Sequence, residues 1–296
     1  MILLEKNLDG ALDQVERVLS SLCWVTGPET YGGRAIDGAL RYHLGVRGGL
    51  IRARLALLSS DALDIPLVQA VRLAVVCEAL HNASLIHDDL QDRALERRGR
   101  ETVWSRFGPE IAVCLGDLLI SAAYGALAEI DLGCDVSLLV RETHLAVTRA
   151  VHGQASDIRL SNAELEPDLA LSSYLATARA KSGAILSLTL ILPLAAAGHL
   201  RALEKARQAG EEFAVGYQVM DDLADFAEDR GDKSRPVRLN LLGLFKNESS
   251  FDSVREMALG IARQSFEVAG SLASELPGDS GRPLAAMADR FCRDFS

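Results

Sequence analysis

Aromatic side chains are scarce in this 296-residue chain, at 5% of residues, while apolar residues as a whole make up 49%. Sheets draw heavily on aromatic and β-branched residues, so an apolar half rich in Ala and Leu argues for helices. Basic charge is also short. The 31 Lys and Arg stand against 41 Asp and Glu, for a net charge of −10, which argues against a nucleic-acid partner. The five cysteines (Cys23, Cys77, Cys114, Cys134, Cys292) have no CxxC spacing and lie mostly in apolar helical runs. They read as reduced core thiols of a cytoplasmic protein rather than a disulfide framework. The N-terminus lacks the basic start and apolar core of a signal peptide. No uninterrupted apolar stretch reaches bilayer length, so no integral membrane segment is expected. The longest, Ala184 to Gly198, is broken by Pro193 and small polar residues and reads as a buried helix. No Pro/Gly/Ser-rich linker divides the chain, and residues 1–296 are expected to form a single domain.

What is present is a succession of long apolar-periodic runs. Leu8, Leu12, Val15, Val18, Leu19 and Leu22 mark a first amphipathic helix, stopped before Gly27-Pro28. A shorter helix is expected near Ala35 to Leu44. Next, Gly48-Gly49 opens a helix carrying Arg52 and Arg54, and Pro66 suits the first turn of a helix running to the segment His81 to Thr102. Further helices are expected over Ile111 to Ile130, about Asp135 to Leu160, Pro167 onward, Ser250 to Leu276 and Pro283 to Phe291, with a loop bounded by Gly99 and Gly108-Pro109. Two readings of the glycine pair stand side by side. Either its backbone N–H groups approach an anion at a helix start, or it is a plain loop before a surface helix.

Chemistry concentrates in HNASLIHDDLQDRALERRGRET, from His81 to Thr102. On a helix Asp88 and Asp92 lie one turn apart on one face, while Asp89 is rotated off by about 100°. Like charges on successive turns repel, and a divalent cation between them is the obvious reason to accept that cost; with oxygen ligands it is most often Mg²⁺ on a phosphorylated substrate. Arg97 and Arg98 fit this, since guanidinium binds phosphate bidentately. A solvated charged face is the alternative. A second cluster, Asp221-Asp222-Leu223-Ala224-Asp225, repeats the spacing after another apolar run, which sets both clusters at the ends of buried helices. Lys181-Ser182-Gly183 places an ammonium in an apolar run, where it is costly without an anion to meet it. His87 and Asp117 read as structural.

The two clusters resemble the trans-isoprenyl diphosphate synthases, the polyprenyl synthetase family, whose signature is a DDxxD followed by an arginine pair and a second DDxxD later. SLIHDDLQDRALERRGRET matches the first region nearly residue for residue and GYQVMDDLAD the second, with fainter features from Gly48 to about Asp225. The resemblance implies an all-α, isoprenoid-synthase-type bundle of about ten helices around a central apolar cavity, with the two motifs facing across its mouth. It implies condensation of an allylic diphosphate with isopentenyl diphosphate, about three Mg²⁺ ions with the allylic diphosphate, and a homodimer.

Residue by residue, Asp88, Asp89, Asp92, Asp221, Asp222 and Asp225 become metal ligands, with Asp88, Asp92, Asp221 and Lys181 carrying the chemistry. Arg97 would meet the allylic diphosphate, and Arg98, Arg52, Arg54 and His81 isopentenyl diphosphate. For His81 a satisfied helical histidine is the equal alternative. Lys181, Ser182, Gln154, Gln218 and Lys233 are the other implied substrate-binding residues, with Asp157 supporting Gln154; for Gln154 an ordinary polar face is the other reading. Cys77, Leu80, Ala83 and Ser84 set chain length. None is as bulky as Phe, so a tail of about fifteen carbons or more is expected. One departure stands out: the family's GGKRxRP has no lysine here, and its arginines fit Arg52 and Arg54 only through a loop one residue longer. A class I terpene cyclase, or a prenyltransferase using only the allylic diphosphate, is the alternative activity.

Overall fold

The computed structural model describes residues 7–24, 31–45, 48–160, 167–228, 241 and 251–294. Among them the chain is almost wholly helical, as expected, and the only strands are two of two residues each. The contacts group into two compact units, one of Met1–Arg141 with Ala195–Gly198, the other of Glu142–Leu194 with His199–Ser296.

The first unit is built on α4 (Leu67–Gln91), which α1 (Leu8–Leu22), α3 (Ile51–Ala62) and α6 (Pro109–Ala128) all touch. Helix α1 buries one stripe, Ala11, Leu12, Val15 and Leu19, as its periodicity requires. Helix α4 has no single stripe. It is buried without a break from Leu73 to Leu80, the pattern of a helix enclosed on every side. Helix α2 (Tyr31–Leu44) precedes α3, and Leu50 between them holds a left-handed backbone (φ 45), a conformation that costs a leucine about 1–2 kcal/mol.

The segment expected as a loop after the first motif is a hairpin. Strand β1 (Glu96–Arg97) pairs antiparallel with β2 (Arg100–Glu101), and Arg98 and Gly99 turn between them with φ of 53 and 72. Positive φ at both central residues matches the twist of flanking strands, so Gly99 serves the turn and Arg98 is held in a costly conformation. The hairpin is pinned at its base, where Thr102 Oγ1 and Trp104 Nε1 both donate to the Ala94 carbonyl at 2.8 Å. At its flank Tyr42 donates to the Glu101 carbonyl, and the Arg100 and Arg106 guanidiniums stack on the Tyr42 ring. Short helix α5 (Val103–Phe107) then leads into α6.

The boundary between the units falls inside α7 (Val136–Leu160). In the second unit α8 (Pro167–Ala178) runs through a π turn, Arg179–Gly183, into α9 (Ala184–Ala196), whose residues are buried all round. Helix α10 (Leu203–Glu228) packs on α11 (Phe251–Ser274), and α11 on α12 (Arg282–Asp294). Much of the chain's scarce aromatic content gathers here: Phe213 meets Phe266 edge-on at 5.2 Å, and Phe266 stacks on Phe291 at 5.0 Å.

One expectation is corrected. Only Cys23 and Cys77 are buried; Cys114 is exposed and Cys134 and Cys292 are partly so. Among the described residues two helical stretches, Pro109–Ala128 and Leu169–Ala196, reach membrane-spanning length and apolarity, a test that buried core helices also pass; they are 44% and 67% buried.

Close approach in the second unit depends on glycine. A Cβ on Gly153 of α7 would lie 2.4 Å from the Lys181 backbone nitrogen. Gly153→Ala should therefore displace the π turn and destabilise the protein by about 1–3 kcal/mol in urea denaturation, a loss that an unobstructed helix surface would not show.

Candidate active site

In the first unit the two ends of the aspartate motif differ from its middle. Asp88 and Asp92 are half-buried, and Asp92 closes α4 with its amide on the Asp88 carbonyl at 2.8 Å. Asp89, turned off that face, is buried at 4% exposure, and one of its oxygens accepts both Nε and Nη2 of Arg97 at 2.8 Å. A carboxylate so placed needs a cation or donors to leave water, and Arg97 supplies them. Asp89 was expected to ligate metal and Arg97 to meet a phosphate; the geometry gives each to the other.

Around the start of α3 a second group forms. Burial first, and then the Arg52, Arg97 and Arg98 charges, hold the His81 pKa well below the usual value. His43 is likewise held neutral, its pKa lowered to about 4, by burial first and then by Arg97 and Arg98. Gly48 lies against Arg98: a Cβ there would meet its Nη1 at 2.8 Å. Thus Arg52, His81 and Arg98, separated by up to 46 positions in sequence, share one neighbourhood. Arg54 is not part of it. Two positions along a helix is a rotation of about 200°, and Arg54 reaches instead to Asp9 of α1 at 3.4 Å.

Glu78 of α4 is 6% exposed; burial raises its pKa, and the nearby Arg52 charge works against that rise. Glu78, Asn82 and His43 went unnoticed in the sequence. The signal was there: Glu78 is the only acid between Leu67 and His87.

In the second unit Asp222 mirrors Asp89. It is buried at 5% exposure and accepts Tyr174 Oη at 2.8 Å, Gln218 Nε2 at 2.9 Å and the Leu241 amide at 2.8 Å. Gln218, expected on substrate, thus supports the motif, and Tyr174, a missed residue, supports it from α8. Burial and the Asp222 charge push the Tyr174 phenol far up, so it stays a donor. Asp221 is exposed. Lys181 meets an anion within the protein, Asp157 Oδ2 at 2.7 Å, across the contact that Gly153 permits. Gln154 is buried beside Gly153, and Ser182 is half-buried in the π turn. Cys77, Leu80 and Ala83 are buried, and Ser84 donates to the His81 carbonyl. His87 packs its Nε2 end against Gly116 of α6, 3.7 Å from the exposed Asp117, which is not in an apolar setting. The side chain of Asp225 and all of Lys233 lie outside the described residues.

Among the described residues no three His, Cys, Asp or Glu side chains gather closely enough to cage an ion alone. Mg²⁺ does not need such a cage. It keeps several waters and takes one or two carboxylates together with substrate phosphates, so the hard oxygens of Asp88, Asp92 and Asp221 suit it.

The sequence profile of the family described as polyprenyl synthetase matches residues 34–238. The (2E,6E)-farnesyl diphosphate synthase of Mycobacterium tuberculosis H37Rv is 33% identical over 180 residues, 60% of this chain and 48% of that protein. The geranylgeranyl pyrophosphate synthase of Geoglobus acetivorans is 30% identical over 64% of this chain and 59% of its own length. The matched stretch therefore spans about half of these curated relatives. Among solved structures, the geranylgeranyl pyrophosphate synthetase of Geoglobus acetivorans superposes with a TM-score of 0.80 at 22% identity, covering 96% of this chain and 98% of that one. A decaprenyl diphosphate synthase from Rhodobacter capsulatus does so at 0.79 and 19% identity, covering 99% and 98%. These likenesses establish the helical fold.

The division of labour within the first motif is open to test. Asp89→Ala strips the partner from a two-thirds-buried arginine and should cost about 2–3 kcal/mol in chemical denaturation. Asp88→Ala relieves repulsion and should leave stability within about 0.5 kcal/mol. Equal losses would mean that the two carboxylates share one role.

Proposed function

This chain belongs to the polyprenyl synthetase family, and from that premise we propose that it is a Mg²⁺-dependent prenyltransferase that joins an allylic diphosphate to isopentenyl diphosphate. The observation that carries this reading is the matching build of the two motifs. In each, the middle aspartate is buried on protein donors, which leaves the outer positions for ligand. The reaction breaks the allylic carbon–oxygen bond, forms a carbon–carbon bond to isopentenyl diphosphate, and releases pyrophosphate and a proton. In the first unit Asp88 and Asp92 on α4 would hold Mg²⁺, which supplies charge neutralisation to the departing diphosphate, and in the second unit Asp221 on α10 offers a carboxylate suited to the same ion. Lys181, held by Asp157, offers an ammonium to a diphosphate. Arg98 and Arg52 bind the second diphosphate; with His43 and His81 neutral, the positive charge in their neighbourhood comes from arginines. An allylic cation survives only away from water, and the apolar wall of α4 at Cys77, Leu80 and Ala83 suits a growing tail of about fifteen carbons or more.

A second reading draws on one observation. Leu50 stands where the family has lysine, so a cyclase or a transferase acting on the allylic diphosphate alone keeps a foothold.

The five unpaired cysteines suit a reducing compartment, which we take to be the cytoplasm. We also propose a homodimer. In the second unit α7 exposes Leu145, Val151 and Ile158, apolar surface that a second copy would cover.

Two measurements test these readings. With Mg²⁺ and geranyl or farnesyl diphosphate, product should form only when isopentenyl diphosphate is added, and Asp88→Ala or Asp92→Ala should lower turnover about a thousandfold or more. Product without the second substrate would establish the cyclase reading instead. Sedimentation velocity should show a dimer that Val151→Glu weakens; a monomer at all concentrations would refute the shared face.

A further inference from the structure

The hairpin that follows the first motif carries Arg98 in its turn, and its two strands are fastened to two different helices. Strand β1 is tied to α4, where Arg97 donates through Nε and Nη2 to Asp89 Oδ1 at 2.8 Å. Strand β2 is tied to α2 by Tyr42. The Tyr42 hydroxyl donates to the Glu101 carbonyl at 2.9 Å, and its ring receives the Arg100 guanidinium at 4.4 Å and that of Arg106, just beyond the strand, at 4.6 Å. Phe107 of α5 meets the same ring edge-on at 5.4 Å. Two cations at one ring repel each other, and Glu101 offsets this with Oε2 at 3.7 Å from Arg106 Nη1.

Strands of two residues each do not hold a hairpin together in water, and this pair must also keep Arg98 at φ 53. A hairpin without outside anchors would relieve that conformation by opening. Thr102 and Trp104 fix the base on the Ala94 carbonyl, but both stand beyond β2, on the side away from the turn. The turn itself presents an exposed guanidinium toward the stretch before α3, where a Cβ on Gly48 would lie 2.8 Å from Arg98 Nη1. The plain reading of the Tyr42 contacts is a brace for a surface hairpin. What they hold argues for more, because Arg98 keeps its place only if both strands are fixed, and the aspartate motif fixes only β1.

We propose that Tyr42 is a positioning residue for the second substrate, holding β2 so that the turn keeps the Arg98 guanidinium at Gly48, where it takes the diphosphate of isopentenyl diphosphate. The proposal rests on the reading that Arg98 binds that diphosphate. Tyr42 acts through Arg98 and not on the substrate.

The test uses the full chain. Isopentenyl diphosphate is titrated calorimetrically in EDTA, and a non-hydrolysable geranyl diphosphate analogue in Mg²⁺, with thermal melts of every variant. Tyr42→Leu, which removes both ring and hydroxyl, should weaken isopentenyl diphosphate by about tenfold while the geranyl analogue changes by less than about twofold. Tyr42→Phe keeps the ring and loses only the hydroxyl, and should weaken it by about threefold. In an Arg98→Ala background Tyr42→Leu should add less than about twofold, because the group it holds is gone. Native affinity in Tyr42→Leu, equal weakening of both ligands, or an undiminished effect without Arg98 would leave only a brace and overturn the proposal. Should Tyr42→Leu fail to fold, Tyr42→Phe decides alone, and native affinity there overturns it. If Arg98→Ala binds isopentenyl diphosphate as the native protein does, or the native protein does not bind it in EDTA, the reading beneath the proposal fails and the proposal with it. If the Tyr42 pattern holds but no elongated product forms, the positioning role stands and the assigned reaction fails.

Discussion

A carboxylate that leaves water must be met by donors, and much of the polar architecture follows from two that do. Asp89 takes the Arg97 guanidinium, and Asp222 takes a phenol, an amide side chain and a backbone N–H. Each tie fastens another element: the hairpin after α4, or α8 and Leu241. The cost of desolvating an acid thus becomes a device for fixing helices whose apolar surfaces alone would allow sliding.

The same constraint shapes the chemistry. In the first motif Asp89 is rotated off the face shared by Asp88 and Asp92, so it meets the protein interior while they stay half-buried. Arginine rather than histidine brings positive charge to the neighbourhood of Arg52 and Arg98, because the buried imidazoles of His43 and His81 stay neutral. A guanidinium keeps its charge under the same desolvation.

In the second unit, close approach does comparable work. Gly153 admits the π turn, the π turn carries Lys181, and Lys181 finds Asp157. The ammonium that the sequence shows to be costly without an anion has one within the protein, Asp157, four residues after that glycine on α7. A π turn also places an extra residue in the helix, so the sequence register of α8 does not carry over to α9.

The sequence by itself determined the helical class, most helix positions, the two aspartate motifs and the family, because these rest on composition, 3.6-residue periodicity and short-range spacing. It determined that Asp88 and Asp92 share a face and Asp89 does not, since that is helix geometry. Only the tertiary structure decided what Asp89 and Asp222 face, that Arg52 joins His81 and Arg98 while Arg54 departs to Asp9, and that Tyr42 and Tyr174 matter. The reason is physical. A polar residue in an apolar run shows in the sequence that a partner is required, but the partner lies on another helix, and which one meets it depends on packing between segments tens of residues apart.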